Sequence, residues 1–238
     1  ATRSSEGSII RFCQDLEYSG FQEFKLALAV ELDPPSRADR TAHGTGVDDL
    51  DDNLMSTLAD RASAALHDTA NLFEVDAFRV VAERLAEATR VDIYGVGASG
   101  VVAQYFAYKL VRLGVTAQEY SDMHLGAMSA SNLGEGSVAI GVSSSGSTLD
   151  TLLALKAAKE AGAFTVAVTN RLKSPLAKVA HRSLFASPPE SPLTGGDVFA
   201  KIGQLLVLEA LTRLMIANDE ELLDAVQRTA RGVADRNM

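Results

Sequence analysis

Only one of the 238 residues is cysteine, Cys13, so no intrachain disulfide can form and a reducing compartment, the cytoplasm, is the simple reading. Positive charge is scarce: 22 Lys and Arg stand against 31 Asp and Glu, a net charge of −9. A broad nucleic-acid-binding surface is normally basic, so the balance argues mildly against one. No signal peptide is visible. The longest apolar stretch, 198–217, is broken by Lys201, Gln204, Glu209 and Arg213, which suits a buried or interfacial helix and not a membrane span.

With 47% hydrophobic residues the chain can build one sizeable core and a small second unit. Residues 4–16 predict a helix, with Ser4 or Ser5 as cap and Ile9, Phe12 or Cys13, and Leu16 on one face. Gly20 is the expected positive-φ break, and 21–32 reads as a second short helix. Two such helices bury little, so this unit is expected to be part of a larger one. Residues 33–47 lack large apolar side chains before Val47 and read as a linker. From 48 helical spacing returns: 48–73 carries Leu54, Leu58, Ala65 and Leu66, and 75–89 carries Val75, Phe78, Val81 or Ala82, and Leu85 inward. The four acids within 48–52 suit a helix N-terminus.

After 90 the pattern alternates between strands and helices at crossover spacing. Strands are expected over 91–97, 115–121, 137–145, 164–170 and 182–187, with helices between and after them. This predicts an α/β domain with a five-stranded parallel sheet in the order 2-1-3-4-5, flanked by helices and spanning 48–238 with its N-terminal packing helices 48–89.

Two glycine- and serine-rich turns stand out, YGVGASG at 94–100 and VSSSGST at 142–148. The first fits G-x-G-x-x-G, with Glu119 and Asp122 where a dinucleotide site wants an acid for the ribose. That pattern is short and unspecific. In the second, Ser143, Ser145 and Thr148 lie within six residues, Gly146 lets the backbone turn, and a helix follows. Hydroxyls, free amides and a helix dipole together suit a phosphate dianion. On neighbouring strands the turns would face one crevice, with Ser99 turned into it. Neither has a Walker lysine, so a single phosphate fits better than a nucleoside triphosphate. Serine-rich turns also merely cap helices, and one turn alone would not separate these readings.

The stretches VGASGVVAQYFAYKLVRLG, YSDMHLGAMSASNL, VSSSGSTLDTLLALKAAKEAGA and SPLAKVAH resemble the sugar isomerase (SIS) domain, and more narrowly that of RpiR-type bacterial transcription regulators. Residues 4–32 are similar to the latter half of that family's N-terminal helix-turn-helix domain, so 1–32 is expected to be a partial DNA-binding unit. The resemblance implies that Ser99, Ser143, Ser145 and Thr148 bind the phosphate of a sugar phosphate, helped by the amides of Ala98, Ser144 and Gly146, within the Gly97–Gly100 and Ser143–Thr148 motifs. It further implies that helix 4–16 enters the DNA major groove, with Glu6, Ser8 and Arg11 nearest the bases. Within 1–32, however, three positive residues face five negative ones.

An isomerase would need a base beside the sugar carbonyl. The candidates are His124, Glu190, Asp197 and Glu209, of which Glu190 follows the fifth strand at the ligand end and is expected to touch sugar hydroxyls. Asp197 reads as a helix cap. Spacing sets no acid–base couple, which favours binding without turnover. The expectation is a sugar-phosphate-responsive, DNA-binding homodimer or higher homo-oligomer with no cofactor or metal. The alternative is a ketose–aldose isomerase.

Overall fold

The computed structural model describes residues 6–32, 54–188 and 197–234. The expected linker, the acidic run at 48–52 and Glu190 lie outside the described residues. The chain divides into two units between Asp60 and Arg61.

The smaller unit holds helices α1 (Glu6–Asp15) and α2 (Phe21–Leu32). Phe24 meets the rings of Phe12 and Tyr18 edge-on, at 5.7 and 5.5 Å, and Cys13 is buried. The left-handed residue of the turn is Glu17 (φ 67°), not Gly20. The Glu17 and Tyr18 amides donate back to the carbonyls of Gln14 and Cys13, and this closure of α1 puts the αL position at Glu17. Helix α3 (Leu54–Asn71) starts in this unit and continues into the larger one, where it buries Ala65 and Thr69.

The larger unit continues with α4 (Val75–Ala86), β1 (Arg90–Tyr94), α5 (Ala98–Arg112), β2 (Ala117–Tyr120), α6 (Met123–Ala130), β3 (Ser137–Val142) and α7 (Leu149–Glu160). Then follow β4 (Phe164–Thr169), α8 (Pro175–Val179), β5 (Arg182–Phe185), α9 (Val198–Asn218) and α10 (Glu220–Ala234). The sheet is parallel throughout, in the order β2-β1-β3-β4-β5, as the alternation of strands and helices predicts.

Period-2 alternation splits the core in two. Val91, Ile93, Val138, Ile140, Val142, Val166 and Val168 point to one face, packed by α4, α5 and α9 through Phe78, Leu85, Phe106, Leu110, Leu208 and Leu211. Each such side chain contributes about 1.5–3 kcal/mol by leaving water. Ala139 and Ala167 occupy the other face, where α6, α7 and α8 cover smaller side chains. In α4 the spacing holds for Phe78, Val81, Ala82 and Leu85, but Val75 is exposed, because the first turn extends past the packed face. Leu66 likewise turns outward from α3, whose buried stripe is Ala65 and Thr69.

One polar cluster sits on the second face. Arg90, Asp92 and Tyr94 are alternate residues of β1 and so share it. Asp92 is fully buried and accepts from Arg90 Nε (2.8 Å), from Ser129 Oγ (2.5 Å) and from the Tyr94 hydroxyl (3.2 Å). Arg90 also donates to the Tyr120 hydroxyl, at 3.0 Å. Burial, then Asp92, pushes the Tyr94 phenol well up, and the hydrogen bond to Asp92 raises Arg90.

Candidate functional site

The turns after β1 and β3 leave the carboxyl ends of adjacent strands, since Tyr94 pairs with Gly141 in register. The chain runs from β1 to β2 on one side and later enters β3 on the other, so a crevice opens between the two turns. No side chain caps α5 at Gly97 or α7 at Thr148, whereas Asp122, Ser174 and Asp197 cap α6, α8 and α9. No cap side chain takes the first-turn amides of α5 and α7, although those of Ser99 and Gly100 donate to the Val96 and Gly97 carbonyls, and the dipoles of both helices favour an anion.

The second turn is a ring of hydroxyls. Ser143 Oγ lies 3.0 Å from Thr148 Oγ1 and 3.5 Å from Ser145 Oγ. The Gly146 amide, expected to face a ligand, donates instead to Ser143 Oγ at 3.1 Å and to the Ser143 carbonyl at 3.0 Å. It closes the turn. Gly146 has φ 58°, and a Cβ there would lie 2.3 Å from Ser174 Oγ, so the position demands glycine. Ser99 and Ser144 are buried, and Ser145 and Thr148 are half-buried.

The two turns are joined by a residue that spacing does not single out. Lys201, in the first turn of α9, donates to Ser99 Oγ at 3.2 Å and to Ser144 Oγ at 2.5 Å. Gln204, one turn on and fully buried, donates to Ser144 Oγ at 3.2 Å and to Asn170 Oδ1 at 2.9 Å. In the sequence Lys201 and Gln204 register only as interruptions of an apolar run. Their i,i+3 spacing in the otherwise apolar first half of the helix is the signal that marks one polar face. An ammonium between hydroxyls and uncapped helix starts is a cradle for a doubly charged oxyanion.

The remaining candidates fall elsewhere. Asp122 caps α6 by accepting from the His124 amide at 2.9 Å, so it is committed locally, and His124 is exposed. Asp197 accepts from the Phe199 amide at 3.0 Å as the cap of α9. Glu209 pairs with Lys109 (2.8 Å) and Arg213 (2.9 Å), which hold its carboxyl below the usual range. Ser8 and Arg11 are exposed on α1, three residues apart, and Glu6 begins that helix. Glu119 lies on β2, in register with Ile93 of β1. At the opposite, amino ends of the strands a cleft of about 470 Å³ is lined by Arg84, Glu87, Glu135, Phe164 and His181 among others; its mixed charges make no comparable anion site. Among the described residues no group of His, Cys, Asp and Glu could hold a metal, and no helix is long and apolar enough to cross a membrane.

Comparison with known proteins agrees with this geometry. Residues 84–214 match the SIS domain, and residues 1–35 match the helix-turn-helix domain of the rpiR family. An uncharacterized HTH-type transcriptional regulator of Caldanaerobacter subterraneus is 39% identical over 213 residues, 89% of this chain and 74% of that protein. The HTH-type transcriptional regulator RpiR of Escherichia coli is 31% identical over 207 residues, 87% and 69% of the two chains. The solved structure of Vibrio vulnificus NanR, complexed with ManNAc-6P, superposes with a TM-score of 0.85 at 34% identity, covering 99% of this chain and 84% of that one. A uniform parallel sheet with a polar crevice at its switch point, preceded by a helix-turn-helix segment, makes this chain a member of the RpiR family of SIS-domain transcriptional regulators.

Proposed function

We propose that the crevice between the two turns is the effector site, and that its effector is a phosphorylated sugar bound without turnover. The carrying observation is the Lys201 ammonium held between Ser99 and Ser144, from turns on different strands. A phosphoryl group entering there meets Lys201, the hydroxyls of Ser99, Ser143, Ser145 and Thr148, the amide of Ala98 at the start of α5 and the first-turn amides of α7. With Lys201 and Gln204 donating to its lone pairs, Ser144 keeps its own hydrogen to offer a ligand oxygen. Gly97 and Gly100 shape the first turn, and Glu190 is assigned to the sugar hydroxyls.

Binding without turnover is supported by two of the four candidate bases, which are engaged elsewhere. Asp197 is a cap and Glu209 is ion-paired. Operator DNA is assigned to α1 through Glu6, Ser8 and Arg11. Reading two half-sites calls for a two-fold homodimer, working in the cytoplasm.

Because NanR was solved with ManNAc-6P, N-acetylmannosamine 6-phosphate heads a thermal-shift panel of sugar phosphates, with the unphosphorylated sugars as controls. At least one ester is expected to raise the melting temperature, and its dephosphorylated sugar is not. Stabilisation by neither overturns the reading. Interconversion of aldose and ketose phosphates by the purified chain would move it to the isomerases.

A further inference from the structure

A chain of hydrogen bonds leaves the back of this crevice. Asn170, at the end of β4, donates through Nδ2 to the carbonyls of Pro188 (2.8 Å) and Ala200 (3.3 Å). Two carbonyl acceptors fix which way that amide points, so Asn170 Oδ1 faces Gln204 and receives its Nε2–H at 2.9 Å. Gln204 in turn holds Ser144, the partner of Lys201. Beyond Pro188, the Ser187 amide donates to Thr69 Oγ1 at 3.0 Å, and that hydroxyl bonds back to the α3 carbonyl of Ala65 at 2.8 Å. Ser144, Gln204, Asn170 and Thr69 are all buried. Helix α9 closes on the same junction: a Cβ at Gly203 would lie 2.4 Å from the Ser187 carbonyl and 2.7 Å from Thr69 Oγ1. A second contact runs beside it, the Arg61 guanidinium lying 4.6 Å from the centre of the Phe199 ring, two residues before Lys201.

We infer that this Lys201–Ser144–Gln204–Asn170–Pro188–Ser187–Thr69 chain, in which the Pro188–Ser187 step is the peptide backbone itself, is the device by which occupancy of the effector crevice is felt by α3, the helix through which the chain runs to the linker and the DNA-binding segment. It rests on the effector reading above. An arriving phosphoryl oxygen competes with Ser144 for the Lys201 ammonium. Ser144 then keeps only its Gln204 donor and turns its hydrogen to the ligand. Gln204, Asn170 and Thr69 are buried with a fixed choice of partner, so the shift is passed on and not absorbed by water. The ligand thereby has different contacts in two arrangements, as a coupling requires.

Hydrogen–deuterium exchange of the full chain, with and without saturating N-acetylmannosamine 6-phosphate or another ester that stabilises it in the thermal panel, tests the chain of bonds. The expected result is slower exchange at 143–148 together with a slowing of about threefold or more within 61–71. Thr69→Val, which removes the hydroxyl at nearly constant volume, should retain the protection at 143–148 and lose that at 61–71. Thr69→Ser should restore it. Protection at 143–148 without any response at 61–71 in the wild type overturns the relay and spares the effector site. So does an unaltered 61–71 response in Thr69→Val. Should Thr69→Val fail to fold, the wild-type and Thr69→Ser responses decide, absence of either at 61–71 counting against the relay. No protection at 143–148 with any ester removes the effector reading and the relay with it.

Discussion

Lys201 donates to Ser99 Oγ at 3.2 Å although 102 positions separate them in the chain. The same ammonium reaches Ser144 in the other turn. One side chain of α9 therefore bridges the turns that follow β1 and β3.

Removing that ammonium should be felt mainly by the ligand's phosphate. Charge-assisted hydrogen bonds are worth about 1.5–3 kcal/mol, so Lys201→Met should weaken a stabilising sugar phosphate by about 10–100-fold. Calorimetric titration checks this. Equal affinity in the variant would remove Lys201 from the site.

Ser143→Ala with Ser145→Ala takes two hydroxyls from the ring around Thr148. The ligand-induced rise in melting temperature should disappear while the unliganded chain stays folded by circular dichroism. A full-sized rise in the double variant would contradict the phosphate assignment.

Gly146→Ala combines a positive φ with a Cβ placed 2.3 Å from Ser174 Oγ and 2.8 Å from Thr169 Oγ1. Backbone strain and overpacking together should cost about 2–4 kcal/mol in urea unfolding. A variant as stable as the wild type would mean that the turn adopts another conformation.

Asp92 is the acceptor on which Arg90, Tyr94 and Ser129 converge. Asp92→Ala strands three donors next to a buried strand, and a loss of about 3–5 kcal/mol is expected. Asp92→Asn keeps one carbonyl acceptor and should lose less. The ordering of the two variants in urea is the check.

His181 supplies a pH dependence with a definite sign. Its Nδ1 accepts the Thr165 amide at 3.0 Å, and its pKa is held below the ordinary 6.5 by burial, with Lys159 and Arg182 adding to the effect. Above 6.5 the ring is neutral whether folded or unfolded. As the pH falls through 6.5 towards the lower folded value, the unfolded chain takes the proton first, so stability declines. The melting temperature should drop from pH 7.5 to 5.5, and His181→Gln should flatten that part of the profile.

What the sequence determined by itself is whatever depends on residues close together in it. The apolar strand runs, the crossover spacing and the two glycine–serine turns sufficed for the sheet order and for which strand ends face the crevice, because these follow from local periodicity and from the handedness of parallel crossovers. The cap at Asp197 was legible for the same reason. Lys201 was not, since a lysine in an apolar helix gives no sign of which way it points. Its aim is decided by the rotation of α9, which is set by the burial of Val207, Leu208, Leu211 and Met215 against the sheet. Asp92 was missed in the same way: only the pairing of β1 beside β2 and under α6 brings Ser129 to it and Tyr120 to its partner Arg90. Tertiary packing alone decided which polar side chains meet, because hydrogen bonds between distant residues exist only once the apolar faces have fixed each element's orientation.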